Sequence, residues 1–571
     1  QGEKMKFIKI IAITALLSSA VMAQVRILPI DKAKFIAGAK FDFLVEIDGE
    51  AKFSELKVSI NGKDAAQFFG KKPQNFFKDG VSAYRIDGVS FTQKGEFEVL
   101  ASYGKEKSAV KYQVVQEFAS KKAKNVILLI GDGMSLQAKQ MARILSKGIN
   151  EGKYNGYLEM ENMPQLALVT TSGYDSLTTD SANSASAYAT GHKSVVNAMG
   201  VYEDSTKDAM DDPKVENIAE ILKRTQGKSI GLVSTANITD ATPAAMITHT
   251  RRRAMQNEIA LDFLRVKPEV VLGGGLRHFI PQDEPNSKRK DDKNLIELFK
   301  EAGYSVSFDK NELLAQRGAK RLLGLYNVDN MNVYLDREVL KNPEVLGKFN
   351  AEPNLMQMTQ MALETLSQNP KGFFLMVEGA SIDKQLHKMD WQRATYDTIE
   401  LDKAVKIAKD FAKKRNDTLV IVVADHAHGA SITGTYHEKD GKSGREAVRT
   451  YDKSVFPSFE DKDKDGFPDS PNADITLAVQ WANHPDYKAY YGFRQKPSSP
   501  TIEKNGKFVA NPKLNGEEYK GNIPYDEDTE VHSADDVVLS AYGVGAEAFR
   551  GIMDNTEVFF AMMRALGVRA N

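Results

Sequence analysis

The sequence predicts a doubly wound α/β unit, with a mostly parallel sheet covered by helices on both faces, preceded by a small all-β, immunoglobulin-like sandwich. Three observations predict it: short alternating runs between residues 24 and 118, continuous apolar runs beyond them, and helical patterns spaced between those runs. With 571 residues the chain exceeds what one ordinary domain needs, so at least two units are expected.

At the N-terminus, Lys6 and Lys9 precede an apolar run from Ile10 to Leu17, followed by small residues and Val21-Met22-Ala23. This is the pattern of a secretory leader, cleaved before Gln24, so residues 1–23 stand outside the fold. The four residues before Met5 read as a tag remnant or an upstream misread start. The leader's apolar stretch is too short to span a bilayer comfortably, and no later segment has the roughly 20 apolar residues a membrane helix needs. The expected product is exported, periplasmic or secreted.

Residues 24–118 alternate polar and apolar, as in Phe41-Asp42-Phe43-Leu44-Val45-Glu46-Ile47 and Phe97-Glu98-Val99-Leu100. Asp48-Gly49, Asn61-Gly62 and Asp87-Gly88 supply turns, and the whole reads as an antiparallel sandwich. It holds no catalytic constellation, so a spacer or binding module is the expectation. Lys121-Lys122-Ala123-Lys124 marks the boundary to a second domain, 119–571.

There the apolar runs Val126–Ile130, Ile230–Val233, Val270–Leu272, Phe373–Val377 and Leu419–Val423 suit strands buried on both faces of a parallel sheet. Helical patterns at Val215–Arg224, Leu355–Gln368 and Arg393–Lys413 lie between them. From about 435 to 530 the chain is rich in Gly, Pro, Lys and Asp and reads as an irregular insertion before a final strand around Val537–Ala541.

Composition narrows the chemistry. The 76 basic and 77 acidic residues leave a net charge of -1, which argues against a nucleic-acid partner. Cysteine is absent, so disulfides and thiolate ligands are excluded, and any zinc must be held by His, Asp or Glu, as in catalytic sites.

In open sheets ligands bind beyond the carboxyl ends of the strands. Asp132 follows the first run, Glu378 the fourth, and Asp425 with His426 the fifth. Asp132 sits between glycines that allow a sharp turn against a ligand, although an Asp that merely stabilises a turn has the same look. Ser181 opens the small-residue run Ser181-Ala182-Asn183-Ser184-Ala185-Ser186-Ala187, a helix closed by Gly191. A helix N-terminus favours an ionised serine oxygen and a bound phosphate, yet Asp180 or Ser181 as a simple N-cap fits too. No local base is apparent, so a nucleophilic serine would need a metal. Asp383 and His387, four apart, share a helix face as zinc requires. Asp425-His426-Ala427-His428 offers further ligands, and His532 is the last of nine histidines. Asp240-Ala241-Thr242-Pro243 and His249 precede Arg251-Arg252-Arg253, which is either a solvated basic turn or the source of a phosphate clamp.

The segments Asn125–Met134, Thr179–Lys193, Asp240–Pro243, Val377–His387 and Ala424–His428 match alkaline phosphatases in that order, and most of residues 124–571 resembles that family. The resemblance implies a fold of that type and hydrolysis of phosphate monoesters through a phosphoserine on Ser181. It implies one zinc on Asp383, His387 and His532, and a second on Asp132, Asp425 and His426. Magnesium would sit on Asp132, Thr242 and Glu378, with Asp240 in its outer sphere. His428 would hydrogen-bond Asp383, Asp180 would flank the serine, and Lys384 with Asp240 would mark the bacterial type of site. Arg253 would clamp the phosphate, leaving Arg251 and Arg252 on the surface. The family's usual dimer stays open against a monomer. A related phosphodiesterase or sulfatase is the alternative.

Separately, Asp461, Asp463, Asp465 and Asp469 alternate around a glycine turn, the pattern of a calcium loop and equally of a solvated acidic turn.

Overall fold

A computed structural model describes residues 24–116, 118–119, 121–482, 488–518 and 529–569. The leader expected at 1–23 falls outside the described residues. The chain builds two hydrophobic cores, one beneath residues 25–114 and one beneath the large sheet that follows.

The first core lies between a four-stranded and a five-stranded sheet. Alternation explains the strands: in Glu106–Val115 the even-numbered residues from Val110 to Val114 point inward and Lys111 and Gln113 point out. Phe35, Phe41, Phe91 and Tyr112 fill the centre with rings 4.5–6.0 Å apart.

Ten strands form the second sheet, numbered here in chain order: β1 Asn125–Gly131, β2 Gln165–Thr170, β3 Ser229–Asn237, β4 Val270–Gly274, β5 Ser305–Ser307, β6 Leu322–Leu325, β7 Phe373–Gly379, β8 Thr418–Ala424, β9 Val537–Gly543 and β10 Gly551–Asp554. Their spatial order is β5-β6-β4-β3-β7-β1-β8-β9-β2-β10. Only β9 runs against the rest. Every residue of β1, β7 and β8 is buried, because helices cover both faces. The helices Leu136–Lys147, Leu355–Leu366 and Trp391–Arg415 pack together in one layer, while Ser181–Thr190 packs against Asn555–Leu566.

The five apolar runs all become strands, and the helices at 355 and 393 form as expected. Two expectations need correction. Helix Ile218–Gln226 begins three residues later than Val215, because Asn217 caps it with a capping box; Val215 itself is buried in the sandwich core. The region from 435 to 530 is also less irregular than its composition suggests, since Ala430–His437 pairs antiparallel with Ile475–Trp481. A bulge between Ile432 and Gly434 interrupts the alternation that would have announced that strand.

Candidate active site

Strands β7, β1 and β8 are neighbours, with Ile130 level with Glu378 and Gly131 level with Ala424. Asp132 and Asp425 follow directly, so three acids leave one sheet edge on adjacent strands, each at most 2 % exposed. The turn after β1 depends on glycine: Gly133 lies at φ +62°, and a Cβ there would come within 2.7 Å of the His428 ring. Its N–H donates to Asp425 Oδ1 at 3.0 Å, joining two strand ends.

Ser181 is the first residue of helix α1, Ser181–Thr190, behind the N-cap Asp180. A capping box fixes that start, since Asp180 accepts from the Asn183 N–H while the Asn183 side chain accepts from the Asp180 N–H. The Ser184 and Tyr188 hydroxyls donate to the carbonyls of Asp425 and Ala424 at 2.6 and 2.7 Å, docking α1 onto the end of β8. The Ser181 Oγ is thereby held 3.2 Å from Asp132 Oδ1 and 3.3 Å from His426 Nε2.

His387 and His532 face each other with their Nε2 atoms 3.1 Å apart, at 3.3 and 3.4 Å from Asp383 Oδ1. Each Nδ1–H is spent on a backbone carbonyl, of Glu530 at 2.6 Å and of Thr179 at 2.9 Å. This leaves both Nε2 lone pairs for a cation. His532 arrives through a short antiparallel pairing of His532–Ser533 with Ala427–His428. His428 Nε2 bonds Asp383 Oδ1 at 2.5 Å. Ligand atoms of Asp383, His387, His428 and His532 lie within 4.8 Å of one another, as do those of Asp132, Asp383 and His426.

Thr242 lies in the short helix Ala241–Ala245, capped by Asp240 and packed against β3 and β7. Among the described residues its hydroxyl is buried without a hydrogen-bond partner, as is Asp425 Oδ2. Glu378 accepts from the Ser234 hydroxyl at 2.5 Å. Burial and the nearby charge of Asp132 push the Glu378 and Asp425 carboxyls well above the usual range. Unpartnered buried oxygens beside crowded carboxylates fit divalent cations, which would satisfy the former and neutralise the latter.

Arg253 donates to Asp180 at 3.2 Å and to Asp240 at 2.9 Å, and Lys384 pairs with Asp240 at 3.0 Å. Burial alone would raise the Asp240 carboxyl, but Lys384 and Arg253 hold it far below its ordinary value. Arg251, expected on the surface, is instead buried: it donates to the carbonyl of Asp204 at 3.0 Å and to Asp212 Oδ1 at 3.2 Å. The chain bends and turns over residues 251–253, so Arg251 and Arg253 enter different surroundings although only two positions apart. Arg252 is exposed as expected.

Sequence reasoning missed the Glu530 and Thr179 carbonyls and Asn183, since backbone acceptors and helix-start amides carry no residue-type signal of their own. The acidic loop brings Asp461, Asp463 and Asp465 within 4.8 Å of one another. Asp469 stands outside that group and accepts from the Lys462 N–H. The three clustered acids also accept backbone N–H groups of Gly466, Asp465 and Phe467 at 2.7–3.0 Å.

A serine at a helix N-terminus, opening onto paired nests of imidazole and carboxylate at a parallel sheet edge, defines a metal-dependent hydrolase. The profile of the alkaline phosphatase family matches residues 123–568. Alkaline phosphatase H of Pseudomonas aeruginosa is 32 % identical over 490 residues, covering 80 % of this chain and 87 % of that protein. Alkaline phosphatase of Escherichia coli K12 is 30 % identical, with 79 % and 88 % covered. The crystal structure of Thermus thermophilus alkaline phosphatase superposes with a TM-score of 0.57 at 25 % identity, covering 80 % of this chain and 93 % of that one. The chain belongs to the alkaline phosphatase family, and is a phosphomonoesterase.

Proposed function

We propose that this enzyme hydrolyses phosphate monoesters through a covalent phosphoserine on Ser181, at a site for two zinc ions and one magnesium, after export from the cytoplasm. Asp383, His387 and His532 would hold one zinc, Asp132, Asp425 and His426 the other. Asp132, Thr242 and Glu378 would hold the magnesium. When bound, these cations supply positive charge that favours ionised hydroxyls and offsets the charge of a transferring phosphoryl group.

The reading is carried by the Ser181 hydroxyl, buried at the start of α1 and 3.2 Å from Asp132 and 3.3 Å from His426. At that position the helix's free N–H groups and dipole favour negative charge on the serine oxygen and on phosphate. The guanidinium of Arg253 presents two parallel donors for two non-bridging oxygens, exchanging Asp180 and Asp240 for the substrate. Lys384, paired to Asp240, keeps that carboxylate from repelling the dianion. Ser181 then forms a bond to phosphorus as the ester P–O bond breaks and the alcohol leaves. Water cleaves the phosphoserine in a second displacement that restores the hydroxyl and releases inorganic phosphate.

The decisive experiment compares the wild type with Ser181→Ala on an aryl phosphate, a phosphodiester and a sulfate ester, with metal content measured in both. The expected result is a rapid monoester reaction, a labelled phosphoprotein trapped from the wild type only, and a metal content the substitution leaves unchanged. A Ser181→Ala enzyme that turns over the monoester normally refutes the proposal.

Export rests on the leader pattern at residues 5–23; no helix among the described residues is long and apolar enough to cross a membrane. The division into a sandwich at 24–118 and a catalytic domain at 119–571 is supported by the two separate hydrophobic cores.

A further inference from the structure

We infer that the N-terminal sandwich braces the loop Val201–Val215 and through it positions Arg253, with Arg251 as the connecting residue. The inference rests on the reading of Arg253 as the phosphate clamp.

The sandwich lies outside the residues matched by the family profile, yet it is joined to the catalytic domain by buried polar contacts. Its strand Phe41–Asp48 continues into the other domain as an antiparallel bridge from Phe41 to Val215. The Asp42 N–H donates to the Lys214 carbonyl at 2.8 Å, and the Glu216 N–H donates to the Lys40 carbonyl at 3.0 Å. Glu46, 2 % exposed, accepts both the N–H and the hydroxyl of Ser205 at 2.9 Å. Lys78 pairs with Asp211 at 2.7 Å. Tyr202 and Val215 bury their side chains in the sandwich core itself.

From the catalytic side the same loop is closed by Arg251, whose guanidinium reaches the carbonyls of Asp204 and Thr206 and the carboxylate of Asp212. The flanking backbone continues the connection. Met199 and Thr250 exchange both hydrogen bonds at 2.8 and 3.0 Å, and the Arg253 N–H donates to Asn197 at 3.0 Å. Asn197 in turn donates its N–H to Asp180 at 3.2 Å. The path from Glu46 to Arg253 alternates hydrogen bonds with short stretches of backbone, from the part-buried Glu46–Ser205 pair through the buried Arg251 contacts to the Arg253 N–H. A loop of this polarity, left without the sandwich, would strand Asp212 and Arg251 together without their surroundings and let the turn at 249–253 relax. Arg251 and Glu46 are thus positioning residues, touching no substrate.

The test measures kcat, KM and competitive inhibition by inorganic phosphate on the full-length, metal-loaded enzyme. Arg251→Met is expected to raise the inhibition constant for phosphate and KM about tenfold or more, as a misplaced clamp does, with kcat less affected and metal content unchanged. Glu46→Gln, which keeps the side-chain shape, moves the same constants in the same direction by a smaller factor. The pair is non-additive, because both act through one loop. Glu557→Leu removes a different sandwich contact, the 3.0 Å bond from Lys34, and leaves phosphate affinity unchanged. Arg253→Ser separates the two readings. If it weakens phosphate while Arg251→Met and Glu46→Gln stay within twofold of wild type, the positioning role is overturned and the clamp stands. If Arg253→Ser leaves phosphate affinity intact, both fall.

Discussion

Asn183→Ala probes how firmly the start of α1 is tied to the catalytic centre. Asn183 is 2 % exposed. Its Oδ1 accepts the Asp180 N–H at 3.2 Å and the Thr179 hydroxyl, and its Nδ2 donates to the Ser194 carbonyl at 3.3 Å. Alanine leaves the Asp180 N–H without its partner, while the Ser194 carbonyl keeps the Tyr174 N–H at 3.0 Å and the Thr179 hydroxyl keeps the Asp180 carbonyl at 3.1 Å; one such lost partner costs about 1–3 kcal/mol. Water entering the vacated space recovers part of this, so the loss of stability is expected near the low end, about 1 kcal/mol. The functional effect follows from the neighbours. Thr179 offers its carbonyl to His532, and Asp180 meets Arg253, so a loosened cap shifts a proposed zinc ligand and the clamp together. Urea unfolding followed by fluorescence reads the first effect as a lower midpoint at unchanged slope. Initial rates on an aryl phosphate read the second as lower kcat with higher KM. A variant matching wild type in both midpoint and kinetics would refute the coupling between this cap and the site.

Other outcomes follow from the same geometry. Chelation is expected to abolish monoester hydrolysis and lower the unfolding temperature, with zinc plus magnesium restoring both, because the buried acids at the β1, β7 and β8 ends lose their counter-charge. Thr242→Val preserves shape but removes the unpartnered hydroxyl; the stimulation by added magnesium should fall about tenfold while zinc content stays constant. Arg337→Met strips the buried Glu400 of its 2.7 Å partner and should cost about 3–5 kcal/mol of stability with kcat/KM unchanged, checked by denaturant melts beside kinetics. His249 and Glu220 form a 3.0 Å pair. Despite burial, Glu220 draws the imidazole above its ordinary value, and the imidazole holds the Glu220 carboxyl down to about 2. A raised histidine stabilises below its unfolded value and a depressed glutamate above its own. The stability lost in Glu220→Gln should therefore peak between roughly pH 4.5 and 6.5 and shrink on either side, as seen in urea midpoints across pH.

The parts of this molecule governed by local pattern were legible in the sequence. Strand runs such as Phe373–Val377 announce themselves as unbroken apolar stretches, and three of them, at Val126–Ile130, Phe373–Val377 and Leu419–Val423, deliver an acid one or two residues past their ends. Asp383 and His387 declare a shared face by their spacing. What stayed hidden depends on partners distant in sequence. Short strands β5, β6 and β10 carry too few residues to show a period, and β9 gives no sign of running backwards. Nothing in the residues of the loop Glu203–Asp212 says that Glu46 waits on one side and Arg251 on the other. The Arg251-Arg252-Arg253 triplet fails for the same reason: three identical side chains enter a buried network, solvent and the catalytic centre by position alone.

The adjacency of β7, β1 and β8 has one more consequence. Strands in a sheet stand about 4.8 Å apart, so the sheet acts as a ruler that spaces Glu378, Asp132 and Asp425 before any loop is ordered. The separation between these three carboxylates is thus inherited from backbone pairing deep in the protein. Changes to the segments above the rim can alter what enters and how tightly it is gripped, while the interval between the three strand-end acids stays the same.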